Sequence, residues 1–510
     1  MTGDPNAAWS ATAPQVTIAA GTVEGRTVDG VNSFLGIPYA APPFGPNRMR
    51  PPQPAAPWPG VRTATEYGPT VPKGDYPPQY QPLLPEVTIA GEDCLNLNVW
   101  TPEGAADLPV LVWIHGGSFM NGSGSVAQYD GTAFARDGVV CVTINYRLAA
   151  EGFLYTGDTD DINGAANVGL LDQLAALEWV RDNIAAFGGD PARVTVAGES
   201  AGAMSVTTLL AMPQSAGLFA QAITQSGAAA HTITAEQGRM VAGYLAEALG
   251  VEPTREAIAA VPLETLVQAA SDLVVEVQTA PDPVRWGSLA ASLLPFAPVV
   301  DGTVLATHPL QAIGNGQGRD VRLLTGANRD EARLFLVAPG VIDAVDEPTL
   351  EATAAAYGLS TEALAVYRGN RPDASPGDLM AAVITDWFFT VPGIRVAEAR
   401  ARQGTDNTWS YRCDHLTPAD NHGFGAAHAA EIPFVFDTAK RPDSFPLTGD
   451  TPSQATADTI HGVWIAFIAD GNPGWAPYTL DRRTTGVLTD KIDEVDDPSG
   501  DERAVWDGIR

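Results

Sequence analysis

Apolar and polar residues fall in blocks along this chain. Five blocks are near-continuous apolar runs of strand length: LPVLVWIHGG (108–117), GVVCVTINYR (138–147), ARVTVAG (192–198), RDVRLLTGAN (319–328) and NTWSYRCD (407–414). Runs of this kind suit strands covered on both faces, as in a parallel sheet. Between the second and third run, Leu170, Leu174, Leu177, Val180 and Ile184 recur every three or four residues. That spacing predicts a helix over 168–190 with one apolar stripe, stopped by Gly188 and Gly189. The stretch 200–210 holds no Pro and predicts the next helix. Strand, helix and strand form a crossover unit. Its recurrence predicts an α/β fold, a central, mostly parallel, twisted sheet flanked by helices. The chain has no internal repeat and no low-complexity linker.

One short motif lies at a predicted strand-to-helix turn. Gly198-Glu199-Ser200-Ala201-Gly202 fits Gly-x-Ser-x-Gly. In a chain with 51 Gly the pattern alone is weak, so its placement matters more. A sharp turn there lifts a serine hydroxyl above the sheet edge and aims the first N–H groups of the helix at the reacting centre. A serine hydroxyl is a poor nucleophile at neutral pH and needs a base, usually His, oriented by a carboxylate. On such sheets the chain order is Ser, then acid, then His.

Seven His are available. His115 precedes Ser200, His231 and His308 precede the late strands, and His461 lies on an apolar helical pattern that suggests packing. His415, His422 and His428 follow the strand-like run at 407–414, and the residues alone leave the three open. Asp330 and Glu331 both follow the run at 319–328, and composition does not separate them. The glycine-rich segment WIHGGSFMNGSG (113–124) can line a ligand site with N–H groups. No Gly-Lys-Ser/Thr follows it, which argues against a phosphate loop.

Composition narrows the partners. The net charge is −31, with no Lys/Arg cluster, which argues against nucleic acid and anionic lipid. No apolar run approaches the ~20 residues of a membrane span, and the first residues carry no secretion signal pattern. The acidic segment DKIDEVDDPSGDE (490–502) is expected to be a solvated tail. Cys94, Cys141 and Cys413 form no disulfide framework and read as buried small hydrophobes in a reducing compartment. No Cys/His spacing suggests a metal site, and no cofactor is implied.

Longer motifs resemble the type-B carboxylesterases, the family of bacterial para-nitrobenzyl esterases and cholinesterases. FLGIPYAAPPFGPNRMRPPQP (34–54), GEDCLNLNVWTP (91–102), WIHGGSF, TINYRLAAEGFL, the segment from DQLAALEW to GESAG, NRDEARLF, DWFFTVP and GAAHAAEIPFVF occur in family order. The resemblance implies one α/β-hydrolase domain over 1–510, with helical excursions near 228–295 and 332–400 that build a substrate gorge. It implies ester hydrolysis through an acyl-enzyme, with Ser200 as nucleophile, Glu331 as acid and His428 as base. It implies an oxyanion hole from the N–H groups of Gly117, Ser118 and Ala201, with Gly116 as the turn residue before it. Glu199 and Ser226 match buried polar residues that support the catalytic His. Activity is then expected to fall on acidification near the ordinary His pKa of ~6.5.

Phe119, Met120, Trp387, Phe388 and Phe389 suggest an apolar aromatic pocket, with core packing the plain alternative for each. The chain departs from the family in having no cysteine upstream to pair with Cys94, which fits a free thiol in a cytoplasmic bacterial protein. Ser118 stands where relatives often carry Gly or Ala, and Ala332 where they often carry Gly. The expected partner is a small-molecule ester, and the expected assembly a monomer or small homo-oligomer. Amide or carbamate hydrolysis would use the same triad. Some relatives use the fold for adhesion without catalysis.

Overall fold

The computed structural model describes residues 13–157, 166–416 and 423–510. His422 and the first residues read above lie outside these. Among the described residues eleven strands form the main sheet. In chain order they are β1 (Arg26–Val28), β2 (Val31–Pro38), β3 (Asn96–Pro102), β4 (Leu108–Ile114), β5 (Val140–Ile144) and β6 (Gly189–Glu199), then β7 (Gln221–Gln225), β8 (Arg322–Asn328), β9 (Thr408–Cys413), β10 (Thr484–Leu488) and β11 (Ile492–Asp496). The spatial order is β11-β10-β9-β8-β7-β6-β4-β5-β3-β2-β1. From β5 to β10 every neighbour pair is parallel. The pairs outside that block are antiparallel. The sheet is therefore mostly parallel, as predicted. A smaller three-stranded sheet joins Gln15–Ile18, Gly21–Glu24 and Val61–Thr63.

All five predicted runs are strands. β5 is buried along its whole length, and β4 everywhere but Leu108, as strands between two helical layers must be. Helix α1 (Val168–Asn183) ends short of its predicted span of 168–190; a 3-10 turn (Ile184–Phe187) continues it, Gly188 closes that turn in the left-handed region at φ 84°, and Gly189 already opens β6. The helix also departs from the predicted single stripe, because Asp172, Gln173 and Asn183 are buried with the apolar side chains. Asp172 is there to receive Arg147, whose Nε and terminal nitrogen reach its two oxygens at 2.7 and 2.6 Å. Helix α2 (Ala201–Ala211) starts directly after Ser200 and is buried throughout.

Helices Ala235–Leu249 and Leu263–Thr279 fill the first predicted excursion, after β7. Helices Glu347–Ala356, Thr361–Asn370, Pro376–Thr385 and Val391–Ala401 fill the second, between β8 and β9. A π-turn, Asp386–Thr390, joins the last two into one helical stretch of 26 residues. By length and composition alone this stretch could cross a membrane, but 61% of its most apolar window is buried inside the protein. The acidic segment is not a free tail. Part of it is edge strand β11, held by Arg482 against Glu494 and Asp496 at 2.9 and 3.0 Å. Charged side chains suit an exposed sheet edge because they discourage further pairing. The three cysteines are buried and unbridged.

Removing one partner of a buried ion pair leaves an uncompensated charge. Asp172→Asn should therefore cost about 3–5 kcal/mol of stability, measured by urea unfolding. A loss below about 1 kcal/mol would show that Arg147 does not depend on Asp172.

Candidate active site

The main chain makes the site. β6 ends at Glu199, α2 begins at Ala201, and Ser200 between them sits at φ 55°, ψ −123°. That conformation is strained for a residue with a Cβ and persists only where its surroundings enforce it. Here the enforcement is close backbone packing. A Cβ on Gly202 would collide with the Ile114 carbonyl oxygen, and one on Gly227 with the Ser200 carbonyl oxygen. A Cβ on Gly198 would lie 2.6 Å from the Gly202 carbonyl carbon. The Ser200 N–H donates to Gln225 O at 2.9 Å, tying the turn to β7.

His428 and Glu331 meet beside this turn. Glu331 follows β8, and its Oε2 lies 2.6 Å from His428 Nδ1. Its Oε1 accepts the Asn328 N–H at 2.6 Å, so the carboxylate is anchored at both oxygens. Asp330 turns elsewhere, accepting the Ala426 N–H at 3.0 Å and pairing with Arg329 at 2.9 Å. His415 packs on Phe434 and His461 bonds Val435 O and Asp137, so neither approaches Glu331. Glu199 Oε1 stands 3.1 Å from His428 Nε2, without the alignment of a hydrogen bond. Among the described residues no hydrogen bond joins the Ser200 hydroxyl to Nε2. Ser226 follows β7 at φ 54°, and its hydroxyl is buried with no protein partner among the described residues.

The segment after β4 turns tightly. Gly117 takes φ 107° and its carbonyl accepts the N–H groups of Met120 and Asn121 at 2.8 and 2.9 Å. Asn121's carbonyl oxygen occupies the space a Gly117 Cβ would need. Gly116 packs on the serine turn, where a Cβ would stand 2.7 Å from Glu199 Oε2 and 3.1 Å from Ser200 Cβ. Among the described residues the N–H groups of Gly117, Ser118 and Ala201 have no protein acceptor. Ala201 opens α2, where the helix dipole adds to its N–H.

Charge is concentrated around the imidazole. Burial pushes the Glu199 carboxyl up to about 8, against the pull of His428. Burial alone would lower His428, but Glu199, Glu331 and Glu431 outweigh it and hold the ring up at about 9. The ordinary value of ~6.5 expected from sequence is thus corrected upward. Glu431 is a residue the sequence reading missed. Its oxygens take Gln225 Nε2 at 2.9 Å and Asn328 Nδ2 at 2.5 Å, and Trp464 Nε1 supports Gln225 at 2.8 Å. Its place three residues after His428, on the same turn, is the one signal that could have found it. Among the described residues no group of three His, Cys, Asp or Glu is arranged to hold a metal.

The aromatic candidates divide. Phe389 lies 4.7 Å from the His428 ring. Phe335, also unforeseen, lies 5.2 Å from it. Phe388 is half-buried and stacks on His231 at 4.1 Å. Phe119 is fully buried against Phe153, and Met120 is buried too. Trp387 is sandwiched by Tyr357 and Arg510. For Phe119 and Trp387 packing is therefore the better description.

A profile of the carboxylesterase family matches residues 12–487. The chain belongs to the carboxylesterase family. It is 37% identical over 508 residues to the para-nitrobenzyl esterase of Bacillus subtilis (strain 168), covering 96% of this chain and 97% of that one. It is 36% identical over 502 residues to the phenmedipham hydrolase of Pseudarthrobacter oxydans, covering 95% and 97%. The crystal structure of a Geobacillus stearothermophilus carboxylesterase superposes with a TM-score of 0.84 at 36% identity, covering 96% of this chain and 99% of the other. The fold is that of these α/β-hydrolases, and the enzyme is a carboxylic ester hydrolase. Gly227→Ala should push the Ser200 carbonyl and lower turnover of p-nitrophenyl acetate by about 100-fold, with cooperative unfolding retained. Wild-type turnover in that variant would show that the serine turn tolerates displacement.

Proposed function

We propose that the enzyme hydrolyses carboxylic esters in two steps through an acyl-enzyme on Ser200. The observation that carries this is the 2.6 Å bond between His428 Nδ1 and Glu331 Oε2, beside a serine held at φ 55°. In the first step the Ser200 hydroxyl attacks the ester carbonyl while His428 Nε2 takes its proton. Glu331 holds the ring and stabilises its charged form. The N–H groups of Gly117, Ser118 and Ala201 receive the developing oxyanion. Collapse of the tetrahedral species breaks the bond to the alcohol oxygen, which takes the proton from His428. In the second step water gives its proton to His428 and attacks the acyl carbon; the bond to Ser200 Oγ then breaks, Oγ takes the proton back from His428, and the acid is released. The bond between hydroxyl and imidazole is commonly long without substrate and tightens in the reacting complex.

Phe335 and Phe389 beside His428 favour apolar or aromatic groups near the scissile bond. A second reading is carbamate or amide hydrolysis by the same residues. It is favoured by the likeness to a phenmedipham hydrolase. Matched ester, carbamate and amide substrates, compared by kcat/KM, decide between the two.

Ser200→Ala should lower kcat by at least about 1,000-fold with unchanged unfolding. Near-wild-type ester hydrolysis in that variant would rule out the assignment. Only neutral His428 can accept the proton, so activity is lost as pH falls through its pKa. The surrounding carboxylates raise that pKa, so the acid limb begins above that of a free imidazole. Glu199→Gln removes one of these charges and should shift the limb of kcat/KM downward by about one pH unit. An unchanged or upward limb would mean that Glu199 does not act on His428 as a charge.

A further inference from the structure

The turn that carries Gly117 and Ser118 is pinned from outside by an ion pair the reaction does not use. Lys73 Nζ lies 3.2 Å from Glu86 Oε1, with the lysine side chain only 1% exposed. Lys73 also donates to Val87 O at 2.8 Å, and Glu86 Oε1 accepts the Val87 N–H at 2.9 Å. The other oxygen, Glu86 Oε2, reaches across to accept the Gly122 N–H at 2.9 Å. Asn121 Nδ2 lies 3.5 Å from the same oxygen and donates to Gly74 O at 2.7 Å. The Tyr76 hydroxyl, from the same 73–87 segment, stands 3.1 Å from where a Gly117 Cβ would be.

These contacts fall at one end of a very short element. The Gly117 carbonyl closes the turn on itself through Met120 and Asn121. Gly122 has φ 94°, and a Cβ there would meet His115 Nδ1 at 2.5 Å and Gly116 O at 2.6 Å. The segment 116–122 is thus packed on the protein side, while Glu86 and Asn121 fix its outer end. A mostly buried carboxylate is expensive unless balanced, and Lys73 balances it. Cys94 is free, and the polar clamp ties the adjoining segment to the turn.

We propose that Glu86, charge-balanced by Lys73, is a positioning residue. It fixes the direction of the Gly117 and Ser118 N–H groups, and so tunes transition-state stabilisation rather than substrate binding. This rests on the reading of those N–H groups as oxyanion donors. Removing one oxyanion donor costs about 100–1,000-fold in kcat, and a misaimed donor should cost part of that.

The test uses Glu86→Gln and the double variant Lys73→Met/Glu86→Gln, which leaves no unpaired buried charge. Active serines are titrated first, so that misfolded protein does not count. Per titrated serine, kcat should fall about 10–100-fold with KM within about threefold. Inhibition by a trifluoromethyl ketone, which places an oxyanion in the hole, should weaken by the same factor. If both variants keep kcat and ketone affinity within about twofold of wild type, the proposal is overturned. It is equally overturned if KM rises as much as kcat falls, or if neither variant folds, since the pair would then serve binding or the fold. A Ser200→Ala variant that kept its activity would instead overturn the triad, so the two failures are distinguishable.

Discussion

Everything at the site depends on how closely three backbone segments approach one another. The end of β4, the turn at Ser200 and the start of α2 touch main chain to main chain. The Ile114 carbonyl oxygen fills the space a Gly202 side chain would need. Ser200 can occupy a strained left-handed conformation because β6 and α2 leave it no other. The same contact brings Gly116 against Glu199 and Ser200. The serine turn and the N–H-bearing turn are therefore placed by one packing interaction, at the carboxyl ends of adjacent parallel strands.

A second constraint is electrostatic. Glu199, Glu331 and Glu431 are all buried around one imidazole. Burying three carboxylates is costly, and the structure offsets the cost differently for each. Glu331 spends its oxygens on His428 and the Asn328 N–H. Glu431 spends its oxygens on two side-chain amides. Among the described residues Glu199 Oε1 has no hydrogen-bond partner, with His428 Nε2 3.1 Å away, and its carboxyl is pushed up to about 8. The imidazole is thus poised by groups that would be unfavourable anywhere else in the core.

Much of the fold could be read along the chain. β4, β5, β6, β8 and β9 are legible because strands buried on both faces are apolar without interruption. The serine turn is legible because its glycines answer to local sterics, which are written in consecutive residues. The choice of Glu331 over Asp330 is not local. It depends on which of two adjacent carboxylates faces a loop 97 residues away. Glu431 and the clamp of Lys73 with Glu86 escaped notice for the same reason, since a single Glu or Lys carries no pattern. The acidic segment misled because charge alone says solvent, whereas an edge strand is also solvated and can carry the same charge. The upward shift of His428 follows from three-dimensional crowding of carboxylates, which no spacing along the sequence reveals.

The proposed reaction requires Ser200 to carry the acyl group. The most direct test is to inactivate the enzyme with an organophosphate ester and locate the adduct by peptide mass spectrometry. One phosphoryl group per chain is expected on Ser200, formed in proportion to the loss of ester hydrolysis. An adduct on another residue such as Ser226, or inactivation that leaves Ser200 unmodified, would contradict the proposed reaction.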